Sequence, residues 1–184
     1  MKITYVTGNK FKVYTAEKYL NPLGFTIDSI KLDIPEIQAD SIEDISVYSA
    51  NIASKELNKA VLVNDSGLII PALGDFPGPY SKYVEKTIKE DGILQLMQNQ
   101  KNRDAYFLEV LVYKELDKEP KVFKSLTKGS ISKNKKGTDG WSYDFIFIPE
   151  GSDKTLAEYT EDERYKFFDD EAYIKLADYI KKNQ

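Results

Sequence analysis

The stretch KITYVTGNKFKVYTAEKYL, residues Lys2–Leu20, decides the fold class of this chain. Its opening residues, Lys2–Val6, are typical of a short strand. The polar turn Thr7-Gly8-Asn9 then leads into a predicted helix over Lys10–Leu20, which ends at Asn21-Pro22. Because strands and helices stay interspersed along the rest of the chain, the sequence predicts an α/β or α+β protein with one mixed sheet.

The remaining elements continue this alternation. Further strands are predicted at Phe25–Leu32, Ala60–Val63, Ala105–Tyr113, Val122–Ser130 and Tyr143–Ile148. Further helices are predicted from the capping box at Ser41 to Leu57, over Asp91–Gln98, and over Glu158–Lys182 with a weak break near Phe167-Phe168. The strand from Ala60 is expected to end at the polar run Asn64-Asp65-Ser66-Gly67. We expect residues 1–184 to form a single domain.

The composition excludes several kinds of chemistry. The 184 residues include no cysteine and no histidine, which rules out disulfides, thiol nucleophiles and the usual ligands of zinc and copper. Any bound metal is therefore expected to be a hard, oxygen-ligated ion such as Mg²⁺ or Mn²⁺. The net charge of −4 argues against broad binding to nucleic acid.

The hydropathy pattern gives no sign of a membrane protein. No apolar run approaches the length of a transmembrane helix, and the first residues are typical of a strand rather than a signal peptide. We therefore expect a cytoplasmic protein that does not bind membranes.

The turn before the first predicted helix is a candidate phosphate site. A helix N-terminus exposes unpaired backbone N–H groups and the positive end of the helix dipole, so it attracts phosphate. Gly8 permits close approach of the chain, and Lys10 and Lys12 add positive charge. The alternative is that Asn9 is an ordinary N-cap beside two solvated lysines.

Two acidic segments are candidates for metal binding. Asp65 is expected at the carboxyl end of a buried strand, where ligands gather in α/β sheets, and it could bind Mg²⁺ or deprotonate water. Glu36 follows Pro35 in an extended segment and could share the metal with Asp65. The alternatives are a turn aspartate that satisfies backbone N–H groups and a solvated acidic loop.

Two later segments are candidates for substrate contacts. The loop Ala72–Lys82 holds two glycines and two prolines that fix an unusual backbone course, and such loops position binding groups. The single tryptophan, Trp141, lies near Asp144, so its ring could stack on a base while the carboxylate accepts hydrogen bonds from the base edge. The alternatives are a structural turn and a core tryptophan.

In this order, these segments resemble the inosine triphosphate pyrophosphatase family, whose members remove non-canonical purine nucleotides. The resemblance covers nearly the whole chain. It is carried by Thr7-Gly8-Asn9, Pro35-Glu36, Asp65-Ser66-Gly67-Leu68, the loop Ala72–Lys82, Trp141 with Tyr143 and Asp144, and Ala157-Glu158-Tyr159.

The resemblance implies a fold, an assembly and an activity. The fold is a curved mixed β-sheet flanked by helices, with two lobes around a central cleft, and the assembly is a homodimer. The activity is Mg²⁺-dependent hydrolysis of nucleoside triphosphates, ribo or deoxy, to a monophosphate and pyrophosphate, with Mn²⁺ as an alternative ion. The substrates implied are non-canonical purines such as (d)ITP and XTP.

The resemblance also implies roles for individual residues. Glu36 would ligate the metal, and Asp65 would ligate the metal or act as the general base for the attacking water. The substrate contacts implied are those of Thr7, Asn9, Lys12, Ser66, Lys82, Trp141, Tyr143, Asp144 and Arg164.

The sequence departs from the family pattern at several positions. Asn64 replaces a second acidic residue, Ser49 lies where the family has a lysine, and Phe145 replaces a proline. In the last helix Arg164 takes the place of a lysine, although arginine and lysine are not equivalent. Asp169-Asp170 stands where the family has a His-Arg pair that contacts the purine carbonyl.

The pair Asp169-Asp170 permits two interpretations. Acceptors in place of donors predict a preference for a base with an exocyclic amine, or loose reading of the base. Alternatively, the two aspartates only favour the helix dipole. The rival to the hydrolase as a whole is a nucleotide-binding sensor that has lost turnover, for which Asn64 and Ser49 are the arguments.

Overall fold

The computed structural model describes residues 1–35 and 37–183. Its strands are β1 (Lys2–Val6), β2 (Thr26–Ile30), β3 (Val61–Ile69), β4 (Asp104–Lys114), β5 (Lys121–Ile131) and β6 (Phe147–Pro149). Its helices are α1 (Lys10–Leu20), α2 (Ile42–Leu57), α3 (Ser81–Lys86), α4 (Lys89–Leu96), α5 (Glu161–Arg164) and α6 (Glu171–Lys182).

The strands form a sheet in the order β2-β1-β3-β4-β5-β6. β1 is parallel to both β2 and β3, whereas β5 and β6 are antiparallel. The sheet is therefore mixed, and the predicted α/β fold class with flanking helices is confirmed.

The chain divides into two compact units. Unit 1 comprises Met1–Asp65, Glu109–Ser125 and Asp170–Gln184, and unit 2 comprises Ser66–Leu108 and Leu126–Asp169. The prediction of a single domain over residues 1–184 stays a prediction.

Unit 1 packs α6 against buried side chains of β1, β3 and β4. The apolar residues of α6 recur with helical spacing, so one face of the helix joins the core. That face comprises Ala172, Tyr173, Leu176, Ala177 and Ile180. The rings of Tyr173 and Tyr19 lie 5.0 Å apart, and Tyr173, Tyr5 and Leu62 have no exposed surface.

Unit 2 has its own core. Leu68, Phe147 and Leu156 are fully buried there, and the rings of Phe147 and Phe107 lie 4.6 Å apart. The Arg103 guanidinium also lies in this unit. It donates hydrogen bonds to the carbonyl oxygens of Ile131, Met97 and Ser132 at 2.6, 2.8 and 2.6 Å.

The predicted turn at Asn64-Asp65-Ser66-Gly67 is wrong, because β3 continues through it to Ile69. Asp65 consequently lies within a strand and not at its carboxyl end. The polar residues typical of a turn are accommodated here within a strand. Asn64 is only 7% exposed, and its amide donates a hydrogen bond to the Glu109 carboxylate on β4.

Two other boundaries also differ from the prediction. The expected strand Tyr143–Ile148 begins as the 3₁₀ turn Ser142–Phe145, which the Asp144 carboxylate stabilises by accepting from the Trp141 N–H at 2.9 Å. The expected long C-terminal helix is interrupted between α5 and α6. Phe167 and Phe168 pack against the core of unit 2 in this interval.

Within residues 1–35 and 37–183, no helix is long and apolar enough to span a membrane.

Candidate active site

The predicted site residues fall in both units, and each set has its own surroundings. Unit 1 holds Thr7, Asn9, Lys12 and Asp65, and unit 2 holds Ser66, Lys82, Trp141, Tyr143, Asp144 and Arg164. Glu36 lies outside the residues that the structure describes.

The β1–α1 turn presents a capped and solvent-exposed helix N-terminus. Asn9 is the N-cap of α1, and its Oδ1 accepts from the Phe11 N–H at 2.9 Å. The Asn9 N–H donates to Thr7 Oγ1 at 3.1 Å. The ordinary N-cap interpretation of Asn9 is therefore confirmed, while phosphate binding at this turn stays a prediction.

Lys12 connects this helix to β3. Its Nζ donates to the backbone oxygen of Asn64 at 2.9 Å and lies 3.4 Å from Asp65 Oδ1. Lys12 is thus not simply solvated, since it places a positive charge beside the predicted catalytic aspartate. Both side chains keep some exposure, 25% for Lys12 and 38% for Asp65, so the pair contributes about 1 kcal/mol or less to stability.

The sequence prediction missed a buried polar network next to Asp65. Glu109 Oε1 on β4 accepts from Asn64 Nδ2 at 2.6 Å and from the Tyr173 hydroxyl at 2.8 Å. Burial, followed by the negative charges of Glu109 and Asp65, raises the pKa of the Tyr5 hydroxyl well above its ordinary value. The available signal was a lone carboxylate within the apolar run Ala105–Tyr113.

In unit 2, Trp141 is exposed rather than buried in a core. Its side chain is 71% exposed, and its Nε1–H donates to Glu85 Oε1 at 2.9 Å. The core-tryptophan alternative is therefore wrong. A large exposed ring fixed by a hydrogen bond can stack on a planar ligand.

Asp144 lies between the Trp141 backbone and Arg164. Its Oδ2 accepts from the Trp141 N–H at 2.9 Å and lies 3.8 Å from Arg164 Nη1. Burial raises the pKa of the Asp144 carboxyl, and the Trp141 hydrogen bond and the Arg164 charge oppose that rise. The structure therefore brings Trp141, Asp144 and Arg164 together.

A neighbouring backbone segment fixes the Arg164 guanidinium. Nη1 donates to the Asp139 carbonyl oxygen at 2.5 Å, and Nη2 lies 3.4 Å from Asp139 Oδ1. A Cβ atom on Gly140 would lie 3.1 Å from Arg164 Nη1 and 2.9 Å from Asp144 Cβ, so the chain is in close contact with both side chains. Asp139 and Gly140 are supporting residues that the sequence prediction did not include.

The other predicted residues of unit 2 differ in exposure. Tyr143 is 5% exposed, and its hydroxyl donates to the Ser81 carbonyl oxygen at 2.7 Å, which ties the 3₁₀ turn to the loop Ala72–Lys82. Ser81 Oγ in turn accepts from the Leu68 N–H at 2.9 Å. Ser66 and Lys82 are exposed.

The Asp169-Asp170 pair has structural contacts. Asp169 Oδ2 accepts from the Leu126 N–H at 3.1 Å, and the Asp169 N–H donates to Thr127 Oγ1 at 3.0 Å. Asp170 is the N-cap position of α6. The Asp169 carboxylate therefore bonds to the backbone of β5 and lies outside α6, so these contacts do not bear out the helix-dipole interpretation for Asp169, and the reading of the base by this pair stays a prediction.

Because Trp141 is exposed, its fluorescence can be used to follow nucleotide binding. We expect its fluorescence to change when a nucleoside triphosphate is added, because a stacked base would cover a ring that is now 71% exposed. The only tryptophan of the chain can be titrated without labelling. An unchanged spectrum at saturating nucleotide would remove Trp141 from the binding site.

The sheet combines parallel and antiparallel strands, which defines a mixed α/β protein. A sequence model described as the Ham1 family matches residues 3–169. The chain belongs to the Ham1 family, and the resemblance seen in the sequence is thereby confirmed.

Relatives and solved structures agree with this assignment. The dITP/XTP pyrophosphatase of Methanopyrus kandleri is 41% identical over 184 residues, which cover 100% of this chain and 98% of that protein. The dITP/XTP pyrophosphatase of Thermococcus kodakarensis is 40% identical, with 100% and 99% covered. The Staphylococcus aureus Ham1 protein superposes with a TM-score of 0.86 at 26% identity, and the match covers 100% of both chains.

Proposed function

We propose that this chain is a metal-dependent nucleoside triphosphate pyrophosphatase. It hydrolyses non-canonical purine nucleotides such as dITP and XTP to the monophosphate and pyrophosphate. The observation that carries the proposal is the full-length identity of 41% to a dITP/XTP pyrophosphatase. The candidate site residues support it, because they supply the charges that this reaction needs.

The roles proposed for the N-terminus of α1, Lys12 and Asp65 follow from their charge and concern the triphosphate. The exposed N-terminus of α1, with Thr7 and Asn9, offers backbone N–H groups and dipole to phosphate oxygens. Lys12 adds a positive charge that neutralises phosphate. Asp65 accepts the proton of the attacking water, which its partial exposure to solvent permits.

The donor groups on this side fit a hard divalent cation. Asp65 supplies carboxylate oxygens, and the buried Asn64 Oδ1 has no hydrogen-bond partner among the described residues. In those residues no group of three or more His, Cys, Asp or Glu side chains is placed to hold a metal. We propose Glu36 and Asp65 as ligands, with Mg²⁺ or Mn²⁺ stabilising negative charge on phosphate.

On the base side, we propose that Trp141 stacks on the purine and that Asp144 and Arg164 contact its edge. A carboxylate acceptor beside a guanidinium donor can pair with a base that offers both an N–H and a carbonyl. Tyr143 supports this group through Ser81. Ser66 and Lys82 are proposed as further triphosphate contacts because both are exposed.

The second candidate function is a nucleotide sensor without turnover. Asn64 favours it, since an amide stands at a position where the resemblance implies a carboxylate, and Ser49 lacks an expected positive charge. The retention of Asp65 with Lys12 favours the enzyme.

One experiment separates these functions. Pyrophosphate release is measured from ribo- and deoxynucleoside triphosphates carrying hypoxanthine, xanthine, adenine or guanine, with and without Mg²⁺. We expect metal-dependent release that is fastest with dITP and XTP. Tight binding without release would favour the sensor, and a preference for adenine or guanine would favour reading of an exocyclic amine by Asp169-Asp170.

The assembly and location are proposals of the same kind. The resemblance in the sequence supports a homodimer in the cytoplasm. Light scattering at micromolar concentration tests the dimer, for which a molar mass near twice 21.0 kDa is expected.

A further inference from the structure

The exposed ring of Trp141 is attached to a backbone that is held in place. The Trp141 backbone N–H donates to Asp144 Oδ2 at 2.9 Å, and the Trp141 carbonyl oxygen accepts from the Asp144 backbone N–H at 3.0 Å. The next residue, Ser142, has a φ of +50°, which is an uncommon conformation for a residue other than glycine. The freedom left to Trp141 is therefore the rotation of its side chain.

A carboxylate on α3 restricts that rotation. Glu85 Oε1 accepts a hydrogen bond from the indole Nε1–H of Trp141 at 2.9 Å. An indole has a single N–H donor at one edge of the ring, so this hydrogen bond selects one orientation of the ring. A side chain that is 71% exposed would otherwise sample several rotamers.

The helix that carries Glu85 is fixed to the core of unit 2. Val84 is 3% exposed and belongs to that core. Ser81 Oγ donates to the Gly78 carbonyl oxygen at 2.7 Å and accepts from the Leu68 N–H at 2.9 Å. The Ser81 carbonyl oxygen accepts from the Tyr143 hydroxyl at 2.7 Å, which is a second connection between α3 and the turn that follows Trp141. Glu85 therefore has a rigid support.

We propose that Glu85 is a positioning residue for base binding, which holds the Trp141 ring, through the indole N–H, in the orientation that stacks on a purine. This inference rests on the proposed function, because it concerns the base contact proposed for Trp141. The same helix carries Lys82, a proposed triphosphate contact, so α3 supports contacts to both ends of one nucleotide. Because the ring is oriented before the nucleotide arrives, less conformational entropy is lost on binding.

The variants Glu85→Ala and Glu85→Gln separate the hydrogen bond from the charge. Alanine removes the acceptor, whereas glutamine removes only the charge, since its amide oxygen still accepts from the indole N–H. Calorimetry with Mg²⁺ measures the affinity of the full chain for a dITP analogue that has a methylene group between the α- and β-phosphates. We expect the Kd to rise about 2–10-fold in Glu85→Ala, the usual effect of mobilising one side chain, and not to rise in Glu85→Gln.

Two further measurements show whether Glu85 acts on the ring. The only tryptophan of the chain gives a single indole N–H resonance in an NMR spectrum. That resonance should move upfield and exchange faster with solvent in Glu85→Ala, but not in Glu85→Gln. In the hydrolysis of dITP, KM should rise in Glu85→Ala while kcat is kept, because a contact to the base stabilises the bound substrate and the transition state equally.

A double-mutant cycle and a control isolate the indole N–H. Trp141→Phe keeps an aromatic ring without an N–H, so Glu85→Ala should cause no further loss of affinity in that background. Burial, followed by the charges of Glu85 and Glu90, raises the pKa of the Tyr143 hydroxyl, so both carboxylates lie near this turn. Glu90 pairs with Lys135 at 3.2 Å instead of Trp141, and Glu90→Ala should therefore change neither the Kd nor the indole resonance.

The outcomes distinguish this inference from the proposed function. An unchanged Kd in Glu85→Ala overturns the inference, and pyrophosphate release by the wild type would then leave the proposed function intact. An equal loss of affinity in Glu85→Gln, or a further loss in the Trp141→Phe background, also overturns it, because Glu85 would then act by a route other than the indole N–H. The expected losses, together with a wild type that binds the analogue but releases no pyrophosphate, support the inference and overturn the hydrolase.

Discussion

Replacement of Asp65 by asparagine should lower pyrophosphate release by roughly 10²–10⁴-fold, the usual contribution of a general base. Asparagine keeps the size of the side chain but can neither accept the proton of water nor carry the charge that a metal needs. The fold should persist, because the pair with Lys12 is partly exposed and weak. The rate is measured as pyrophosphate released from dITP at saturating Mg²⁺.

The matched control for this variant is Asp28→Asn. Asp28 also belongs to a strand of unit 1 and pairs with a lysine, Lys2, at 3.0 Å in an exposed ion pair. Its loss should leave the rate unchanged. Normal turnover in Asp65→Asn, or equal losses in both variants, would remove Asp65 from the mechanism.

Replacement of Gly137 by alanine should lower the free energy of unfolding by about 2–6 kcal/mol, the sum of backbone strain and steric overlap. Gly137 has a φ of +87°, and a Cβ atom there would lie 2.2 Å from both the carbonyl carbon and oxygen of Ala157. Those atoms belong to the backbone and cannot move aside cheaply. Urea denaturation at 25 °C measures the change.

Gly151→Ala separates the two contributions. Gly151 has a similar φ of +80°, but no heavy atom of the described residues lies within 4 Å of the added Cβ. We expect a loss of about 1–3 kcal/mol from strain alone. If the two variants lose the same free energy, contact with Ala157 contributes nothing to the cost at Gly137.

The Gly137→Ala variant should also disturb Trp141 and Arg164, which are proposed to contact the base. The Thr138 and Asp139 N–H groups both donate to the Ala157 carbonyl oxygen at 3.1 Å, the same oxygen that the added methyl group would meet. Displacement of this segment moves Asp139, whose carbonyl oxygen holds Arg164. The Trp141 response to nucleotide should therefore weaken in Gly137→Ala and persist in Gly151→Ala.

Local patterns in the sequence were sufficient to predict β1, α1, β2 and α2. α1 and α2 begin after side-chain caps, Asn9 and Ser41, that are readable within a few residues. β3 could not be read in this way, because its polar centre has the composition of a turn. Only a partner 45 residues away, Glu109, makes Asn64 compatible with a buried strand.

The candidate site shows the same division between local and distant information. Trp141 and Asp144 are close in sequence and also in contact, so their pairing was readable. The Tyr173–Glu109 contact joins residues 64 positions apart, which no motif encodes. The exposure of Trp141 could not be predicted either, because an aromatic residue at a loop-to-strand junction is compatible with both environments.

The division of the chain into two units has a consequence for fragmentation. The backbone passes from one unit to the other after Asp65, Leu108, Ser125 and Asp169, and three of these passages lie inside β3, β4 and β5. No contiguous gene segment therefore encodes either unit alone. Separating the two units would require breaks within β3, β4 and β5, so neither unit is expected to be exchanged between proteins as a single gene segment.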